Sequence, residues 1–256
     1  MRSEPIHRPR TLASLVLLLL GSLLIQLLAG EAPDQPQVKR DKAGAPDARF
    51  LARHEQFLAS ARTGGHDLVL LGDFLTDDFR GHAKNQVGAI FAAAFAQYRP
   101  LNLGQGGDYT QHVLWRVQNG ELAGYTPTVM MLMIGGTNGS NGDLPDQILA
   151  GIRAIIASAR QQVPGLKVLL LSVLPWDAKP GERRTRHQAV NGFLPQLDDG
   201  GKTVLYVDIS GRFLDADQQI PKDLMPDGAH LSEQGYQVWA DAVADPLARL
   251  MGQPAP

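Results

Sequence analysis

The stretch Asp67–Asp78 reads DLVLLGDFLTDD and indicates how the rest of the chain is organised. Its apolar residues 68–71 have the length of a buried strand, and Gly72-Asp73 ends the run before a helix-like segment begins. In an open α/β sheet, strand-to-helix turns of this kind lie at the carboxyl ends of the strands, where ligands and catalytic groups collect. The turn around Phe74 is therefore the first place to look for a functional site.

Apolar runs and helical patterns alternate along the chain beyond this turn. The predicted strands are Leu68–Leu71, Pro100–Leu103, Val129–Ile134, Lys167–Val173 and Thr203–Ile209. Helical spacing of apolar residues is found in Arg49–Arg62, in Thr110–Asn119, after Asp143 as a helix cap, and from about Leu231 to Met251. Strands that are each followed by a helix predict an α/β fold in which helices cover both faces of a five-stranded parallel sheet.

The amino terminus has a different composition. Three arginines precede an apolar run at 12–29, which is typical of a targeting segment. The run is close to the roughly 20 residues that span a bilayer, so residues 1–30 are predicted as a cleaved signal peptide or as a membrane anchor through 11–30. We interpret residues 31–48, rich in Pro, Ala, Asp and Lys, as a mobile linker and residues 49–252 as one domain. The domain is expected outside the cytoplasm, either exported (periplasmic or secreted) or anchored to the membrane.

Charge and cysteine content exclude several classes of function. Residues 1–30 carry three arginines and one glutamate, so their removal takes the formal net charge from −2 to −4. A mildly acidic domain argues against nucleic acid as a partner, because that binding needs a basic patch. The chain has no cysteine, which excludes disulfides and thiolate nucleophiles. Its histidines at 54, 66, 82, 112 and 187 lack metal-site spacing, so we predict no metal ion.

A possible acid and base stand just before the last predicted helix. The sequence Met225–Leu231 reads MPDGAHL and places Asp227 three residues before His230. A carboxylate at that position can accept the Nδ1–H of the imidazole and leave Nε2 free to take a proton. The spacing also suits an ordinary helix start, so the pair becomes informative only together with the other motifs.

Four segments together resemble the SGNH hydrolases, also called GDSL esterases and lipases. The Gly-Asp at 72–73 resembles the first block, in which a serine nucleophile follows. The second block is the most specific match, because 101–116 reads LNLGQGGDYTQHVLWR and resembles the platelet-activating-factor acetylhydrolase-like branch. The third block is similar to MIGGTN at 133–138, and Asp227 with His230 resembles the fifth. The resemblance implies a three-layer α/β/α, flavodoxin-like SGNH hydrolase fold.

The same resemblance implies a role for each matching residue. It makes Asp227 and His230 the acid and base, and it makes the N–H of Gly107 and the amide of Asn138 oxyanion-hole donors, with no cofactor. We expect these groups and Phe74 to converge at the carboxyl ends of the strands. The chain departs from the family twice: Phe74 stands where the serine is expected, and Gly135-Gly136 contains an apparent extra glycine that could displace Asn138.

Three hypotheses follow for the function. The first is a catalytically impaired esterase homologue that binds an acylated lipid or glycan, or a protein partner. The second is an active acyl-ester hydrolase that uses water or Thr76, although Thr76 is better explained as a helix cap. The third is an active esterase in which Phe74 is a recent or deliberate inactivating change. Whether the chain is an enzyme, what its substrate is and how it oligomerises stay open on the sequence alone.

Overall fold

Five parallel strands form the single sheet of a computed structural model that describes residues 32–81 and 86–253. The strands are β1 (Leu68–Gly72), β2 (Pro100–Asn102), β3 (Val129–Met133), β4 (Lys167–Leu171) and β5 (Val204–Val207). Their order across the sheet is β2-β1-β3-β4-β5, and every neighbouring pair is parallel. This is the flavodoxin-like order, in which the chain reverses direction across the sheet next to β1, so the predicted fold class is confirmed.

The predicted strands all exist, but the structure ends most of them earlier. The last one is shortened from Thr203–Ile209 to Val204–Val207 because the chain leaves the sheet at Asp208. There the hydroxyl of Ser172 accepts the backbone N–H groups of Ile209 and Ser210, at 2.9 and 3.0 Å. Apolar character continues past the point at which hydrogen bonding to the sheet ends, which is why hydropathy overestimates strand length.

Helices cover both faces of the sheet. They are α1 (Ala48–Ala61), α2 (Phe74–Asp78), α3 (Val87–Phe95), α4 (Thr110–Arg116), α5 (Gly136–Ser140), α6 (Pro145–Gln162), α7 (Glu182–Phe193) and α8 (Glu233–Leu250). Side chains of β1 alternate between two cores: Val69 packs in one with residues of α4 and α6, and Leu70 packs in the other with residues of α8. This arrangement gives the three predicted layers.

One predicted cap is not found. Leu144, and not Asp143, is the N-cap residue of α6, and the carboxylate of Asp143 instead accepts a hydrogen bond from the side-chain amide of Asn138 at 2.8 Å. Sequence spacing identifies Asp143 as a possible cap. It does not show that the side-chain amide of Asn138 lies within hydrogen-bond reach of the Asp143 carboxylate. This contact becomes important in the site.

Over the part that the structure describes, the predicted mobile linker at 31–48 is hydrogen-bonded to the domain. The chain divides into two units, Met1–Ala32 and Pro33–Pro256, so residues 33–48 belong to the same unit as the sheet. The hydroxyl of Thr110 donates to the carbonyl of Pro33 at 2.8 Å, and the N–H of Gln37 donates to the carbonyl of Gln111 at 3.1 Å. Prolines and charges suggested a linker, but the hydroxyl of Thr110 and the backbone carbonyl of Gln111 hydrogen-bond to this segment.

The predicted leader at 1–30 lies outside the described residues, as does His82. Within 32–81 and 86–253, no helix is both long enough and apolar enough to cross a bilayer. The prediction of a cleaved or anchoring leader therefore stays a prediction.

A buried ionic cluster supports the loop between β2 and α4. The guanidinium of Arg116 is fully buried between the carboxylates of Asp108 and Glu121, and its Nε lies 2.9 Å from Asp108. Glu121 also lies 2.8 Å from Nδ1 of His54, a histidine for which the sequence suggested no carboxylate partner. Burial raises the pKa of Asp108 to about 7, although Arg116 opposes the shift. The cluster is buried, so we assign it to structure and not to ligand binding.

Candidate active site

The site lies where β1 and β3 end and where the chain approaches α8. Asp73 is the N-cap residue of α2, because its carboxylate accepts the N–H of Leu75 at 3.3 Å. Phe74 is consequently the first residue of that helix. Gly72 cannot carry a side chain here, since a Cβ would lie 2.1 Å from Oγ1 of Thr76 and 2.5 Å from the carbonyl oxygen of Met133. The sharp turn therefore presents the side chain of residue 74 at the carboxyl edge of the sheet.

The ring of Phe74 packs between two aromatic side chains of the site. Its centroid lies 5.0 Å from that of His230 and 5.5 Å from that of Trp176, both with edge-to-face geometry. The ring also lines a cavity of about 10 Å³, which is roughly the room for one water molecule. The cavity is otherwise lined by Asp73, Leu75, Met133, Ile134, Gly136, Val173, Leu174, Pro175, Trp176, His187 and Ala229. Phe74 thus occupies the space next to the imidazole that faces the site.

Asp227 and His230 form a hydrogen-bonded pair. Oδ2 of Asp227 lies 2.7 Å from Nδ1 of His230, while Oδ1 accepts the backbone N–H groups of Ala229 and His230. Burial of Asp227 acts to raise its pKa, but these hydrogen bonds outweigh it and lower the pKa to about 2. The carboxylate is therefore ionised at neutral pH and orients the imidazole. Both side chains are more than half exposed, at 57 and 58%, so solvent reaches the pair.

The glycine loop of the second motif also lies beside Phe74. A methyl group added to Gly106 would lie 3.9 Å from Cβ of Phe74, and Gly107 has a φ of +72° that favours glycine. Nζ of Lys39 donates to the carbonyls of Gly106 and Gly107 at 3.1 and 2.9 Å. Sequence reasoning missed Lys39 because it lies in the predicted linker. The loop is thus held in place by a lysine 67 and 68 residues earlier in the chain.

Asn138 is placed differently from the other predicted site residues. Its side chain is fully buried, and it is absent from the lining of the cavity beside Phe74. Its Oδ1 accepts the N–H of Thr110 at 2.9 Å, which sets the orientation of the amide, and Nδ2 donates to Gln111 at 3.2 Å and to Asp143 at 2.8 Å. Both amide hydrogens are therefore engaged within the protein.

The residue that precedes Asn138 contacts Asp73, the neighbour of Phe74 in the chain. Oγ1 of Thr137 donates to Oδ2 of Asp73 at 3.2 Å. Successive residues of a helix point about 100° apart, so Asn138 projects from a different face of α5 than Thr137 does. Gly135, with a φ of +110°, is the N-cap residue of this helix. The side chain on this helix that contacts the Phe74 turn is therefore the threonine.

Asp73 is a buried carboxyl next to this contact. Burial raises its pKa to about 6, and the opposing hydrogen bonds from Leu75 and Thr137 do not compensate fully. His187 lines the same cavity, and its Nδ1 and Nε2 lie 2.9 and 3.1 Å from the carbonyl oxygens of Leu174 and Gly136. Burial lowers the pKa of His187. Sequence spacing alone had singled out neither side chain.

Thr76 does not serve as a helix cap, because Asp73 takes that role. Its side chain is buried against the backbone of Gly72, and its hydroxyl has no hydrogen-bond partner within the described part of the chain. Among those same residues, no group of three or more His, Asp or Glu side chains is arranged to hold a metal ion. The arrangement can therefore orient an imidazole, and among the described residues the side-chain hydrogen bond of His230 goes to Asp227 and not to a hydroxyl.

Sequence comparison reveals relatives over most of the chain. A model of the GDSL-like lipase/acylhydrolase family matches residues 70–238. Human platelet-activating factor acetylhydrolase IB subunit alpha1 is 31% identical over 207 residues, which cover 81% of this chain and 86% of that protein. Subunit alpha2 from Rattus norvegicus is 30% identical over 218 residues, with 85 and 89% of the two chains covered.

Comparison with solved structures agrees on the fold. A GDSL-like lipase from Bacteroides thetaiotaomicron superimposes with a TM-score of 0.60 at 15% sequence identity. The match covers 78% of this chain and 96% of that one. At this identity the likeness concerns the fold, which both chains share over nearly the whole length of the solved structure.

Proposed function

Because the chain belongs to the GDSL-like lipase/acylhydrolase family, we propose that it is an esterase scaffold whose nucleophile position has been lost and whose pocket binds an acylated lipid or glycan. One observation carries the proposal: the ring of Phe74 lies against His230 at the position where the family motif has its serine. A phenyl ring has neither a lone pair to attack a carbonyl nor a proton to give to the base. The oriented Asp227–His230 pair consequently lacks a side chain to activate.

The expected loss of activity is large. Removal of the serine from the catalytic triad of subtilisin lowers turnover by about 10⁶. A missing oxyanion donor lowers turnover by a further 10²–10³ in such enzymes, and both donor hydrogens of Asn138 are already engaged. These magnitudes favour a binding protein over a slow enzyme.

Thr76 is a poor substitute nucleophile. Its hydroxyl is buried and packs against the backbone at Gly72, where a Cβ would lie only 2.1 Å from Oγ1. To reach His230 it would have to leave this contact, and the helix would have to turn. Water is the better alternative, because His230 is exposed to solvent and its Nδ1 is already oriented by Asp227. An active hydrolase that uses water is therefore the second candidate function.

The shape of the site supports an acylated ligand. The residues around Phe74 are mainly apolar, and Trp176 adds a half-buried aromatic surface. The cavity that Phe74 lines has room for about one water molecule, so an acyl chain would lie on the aromatic surface outside it. The polar side of such a ligand would face Asp227 and His230, which are open to solvent.

The first experiment measures turnover of p-nitrophenyl acetate by the wild type, His230→Ala, Phe74→Ser and Phe74→Ser/His230→Ala. We expect no measurable wild-type turnover. In Phe74→Ser we expect a rise of at least about 10³-fold, the loss of 10⁶ from the serine reduced by 10²–10³ for the engaged Asn138 donor. His230→Ala should remove the gain.

Two outcomes of this experiment would contradict the proposal. Wild-type turnover that disappears in His230→Ala would favour the water-using hydrolase instead. A folded Phe74→Ser protein without turnover on any acyl ester would indicate that more than the nucleophile has been lost.

Ligand binding is measured separately, by titrating the wild type with a soluble acylated glycan or a short-chain lysophospholipid below its micelle concentration. The readout is tryptophan fluorescence, and Trp176→Phe serves as its control.

We also propose that the domain acts outside the cytoplasm, either released or tethered through residues 11–30. The basic start and the apolar run at 12–29 support this proposal. Protease added to cells with a permeabilised outer membrane should degrade the domain. A full-length product found only in the cytosol would contradict it.

A further inference from the structure

A groove separate from the esterase-like site lies at the edge strand β2, and we call it the β2 groove. Residues of α1, α3 and β2 surround about 320 Å³, which is in the size range of sites for small ligands. Its polar lining includes Arg53, Gln56, Ser60 and Arg80, and its apolar lining includes the rings of Phe57 and Phe91. Among the described residues, none lines both this groove and the cavity beside Phe74.

The β2 groove carries more positive than negative charge. Nη2 of Arg53 lies 3.2 Å from Oδ1 of Asp77, and Nη2 of Arg80 contacts the same oxygen. Two guanidiniums therefore share one carboxylate, and these two nitrogens lie within roughly 6 Å of each other. At that distance one anion with several oxygens can accept hydrogen bonds from both arginines.

A third guanidinium lies next to the groove but is already neutralised. That of Arg116 lies 5.4 Å from the centroid of the Phe57 ring, and those of the two groove arginines lie 5.0 and 5.6 Å from it. Arg116 is fully buried and is paired with Asp108 and Glu121. Because burial raises the pKa of Asp108 to about 7, this cluster does not carry a full second negative charge at neutral pH. It therefore does not cancel the positive charge of the groove.

Arg53 keeps hydrogen-bond donors for a ligand. Its Nη1 donates to Oε1 of Gln56 at 3.2 Å, and its Nη2 donates to Asp77. A guanidinium has five N–H donors, so three of them have no partner within residues 32–81 and 86–253. The side chain of Arg53 is 34% exposed, so a dissolved ligand can reach these donors.

Arg80 is held in place by backbone oxygens. It donates to the carbonyls of Asn102 and Gly104, at 2.8 and 3.0 Å, where β2 ends. Because these contacts fix the guanidinium, its charge does not have to be ordered when a ligand binds. The groove therefore combines one preorganised cation with a second cation, Arg53, that has donors to offer.

We propose that the β2 groove binds the phosphate group of a small molecule or of a lipid headgroup, with Arg53 as its principal donor. Arginine geometry matches phosphate, and a phosphomonoester carries about −1.5 to −2 charges at neutral pH, enough to balance both guanidiniums. A carboxylate carries only one charge. The half-buried ring of Phe91 offers an apolar contact to the rest of the ligand. This binding does not depend on ester hydrolysis at the other site.

Isothermal titration calorimetry of the wild type with phenyl phosphate tests the proposal. We expect saturable binding with a dissociation constant of about 1 mM or below. Arg53→Gln removes the charge and most of the unpaired donors, so it should weaken binding at least about fivefold. The matched control is Arg49→Gln, which removes an exposed arginine one turn earlier on α1, outside the groove. It should change the dissociation constant less than about twofold.

Two further titrations distinguish the sources of the phosphate. Inorganic phosphate lacks an apolar part and should bind more weakly than phenyl phosphate. Phosphatidylcholine vesicles with and without phosphatidic acid test a lipid surface. If only the phosphatidic acid increases binding, and Arg53→Gln removes that increase, the phosphate group belongs to a lipid headgroup and the proposal holds.

Two results would overturn the proposal. One is the absence of saturable binding of phenyl phosphate, inorganic phosphate and phosphatidic acid vesicles alike. The other is equal affinity of the wild type and of an Arg53→Gln protein that circular dichroism shows to be folded.

A second measurement locates the ligand in the wild type itself. The Nε–H resonance of Arg53, assigned by its absence from the spectrum of Arg53→Lys, should shift when phenyl phosphate is added. The corresponding resonance of Arg49 should stay unchanged. A saturating phenyl phosphate titration that leaves the Arg53 resonance in place would show that the ligand binds elsewhere, and the inference would be wrong.

Discussion

Asp73 and Asp227 belong to one site but lie in opposite environments. Asp73 is buried at the turn before Phe74, and burial raises its pKa to about 6. Asp227 lies in an exposed loop, where hydrogen bonds from Ala229 and His230 outweigh burial and lower its pKa to about 2. The surroundings of Asp73 disfavour its ionised form, whereas the surroundings of Asp227 stabilise its ionised form.

The difference separates the two sides of the site. On the exposed side, a short segment carries its own hydrogen bonds, and Oδ2 of Asp227 lies 2.7 Å from Nδ1 of His230. On the buried side, Phe74, Thr137 and Asn138 depend on packing between elements far apart in the chain. A pair held within one short segment keeps its geometry independently of the rest of the fold, whereas an arrangement built from several elements changes when any one of them moves.

The largest effect is expected from Asp227→Asn in the Phe74→Ser background. Asn can still accept the backbone N–H groups, but its NH₂ would favour the wrong tautomer of His230, so Nε2 could not take the serine proton. We expect kcat to fall by about 10²–10³, which is most of the gain expected from serine and less than the roughly 10⁴ seen in a complete triad, with little change in KM. Asp223→Asn, an exposed carboxylate of the same loop, is the control. Unchanged kcat would show that the exposed pair does not orient the base.

A smaller effect is expected from Asp73→Asn, measured as free energy of unfolding. The folded pKa of about 6 lies above the ordinary value of 3.8, so ionisation disfavours the folded state and wild-type stability falls as pH rises from about 4 through 6. Asparagine does not ionise. Its Oδ1 can accept the N–H of Leu75, and its NH₂ can donate to the hydroxyl of Thr137, which reverses the direction of that hydrogen bond. The variant should be more stable by up to about 3 kcal/mol at pH 8, and the difference should vanish below pH 4.

Urea denaturation at pH 8 and at pH 4 measures this difference. Asp146→Asn removes an exposed charge and should leave the free energy of unfolding unchanged at both values. An Asp73→Asn protein no more stable than the wild type at pH 8 would mean that the buried carboxyl is not disfavoured when ionised.

The smallest effect is expected from Asp227→Asn on the stability of the wild type. The lowered pKa means that the carboxylate stabilises the fold above about pH 4 and that this contribution is lost as pH falls towards 2. Because both partners are more than half exposed, solvent screens the pair, and the loss at pH 7 should stay below about 1 kcal/mol. A loss above about 2 kcal/mol in urea denaturation would place Asp227 with the buried side of the site.

Much of the fold could be predicted from the sequence. The strand at 68–71 was recognisable because a fully buried parallel strand is a continuous apolar run, and the structure buries all of Leu68–Gly72. Asp227 and His230 could be paired because they are three positions apart in one loop. The linker prediction for 31–48 was less successful, since a polar, proline-rich composition does not show that Thr110 and the loop at 106–107 offer hydrogen-bonding partners.

By itself the sequence determined the alternation of strands and helices, the likeness to a family and the absence of a hydroxyl at position 74. These properties are local, because they depend on the side-chain period and on residues within one turn or loop. The tertiary structure alone decided that the ring of Phe74 packs on His230, that Asp73 is buried and that the amide of Asn138 turns to Asp143. Each of these depends on which donor, acceptor or ring a packed neighbour brings within reach, and residues 74 and 230 become neighbours only when α2 and the loop before α8 meet at the edge of the sheet.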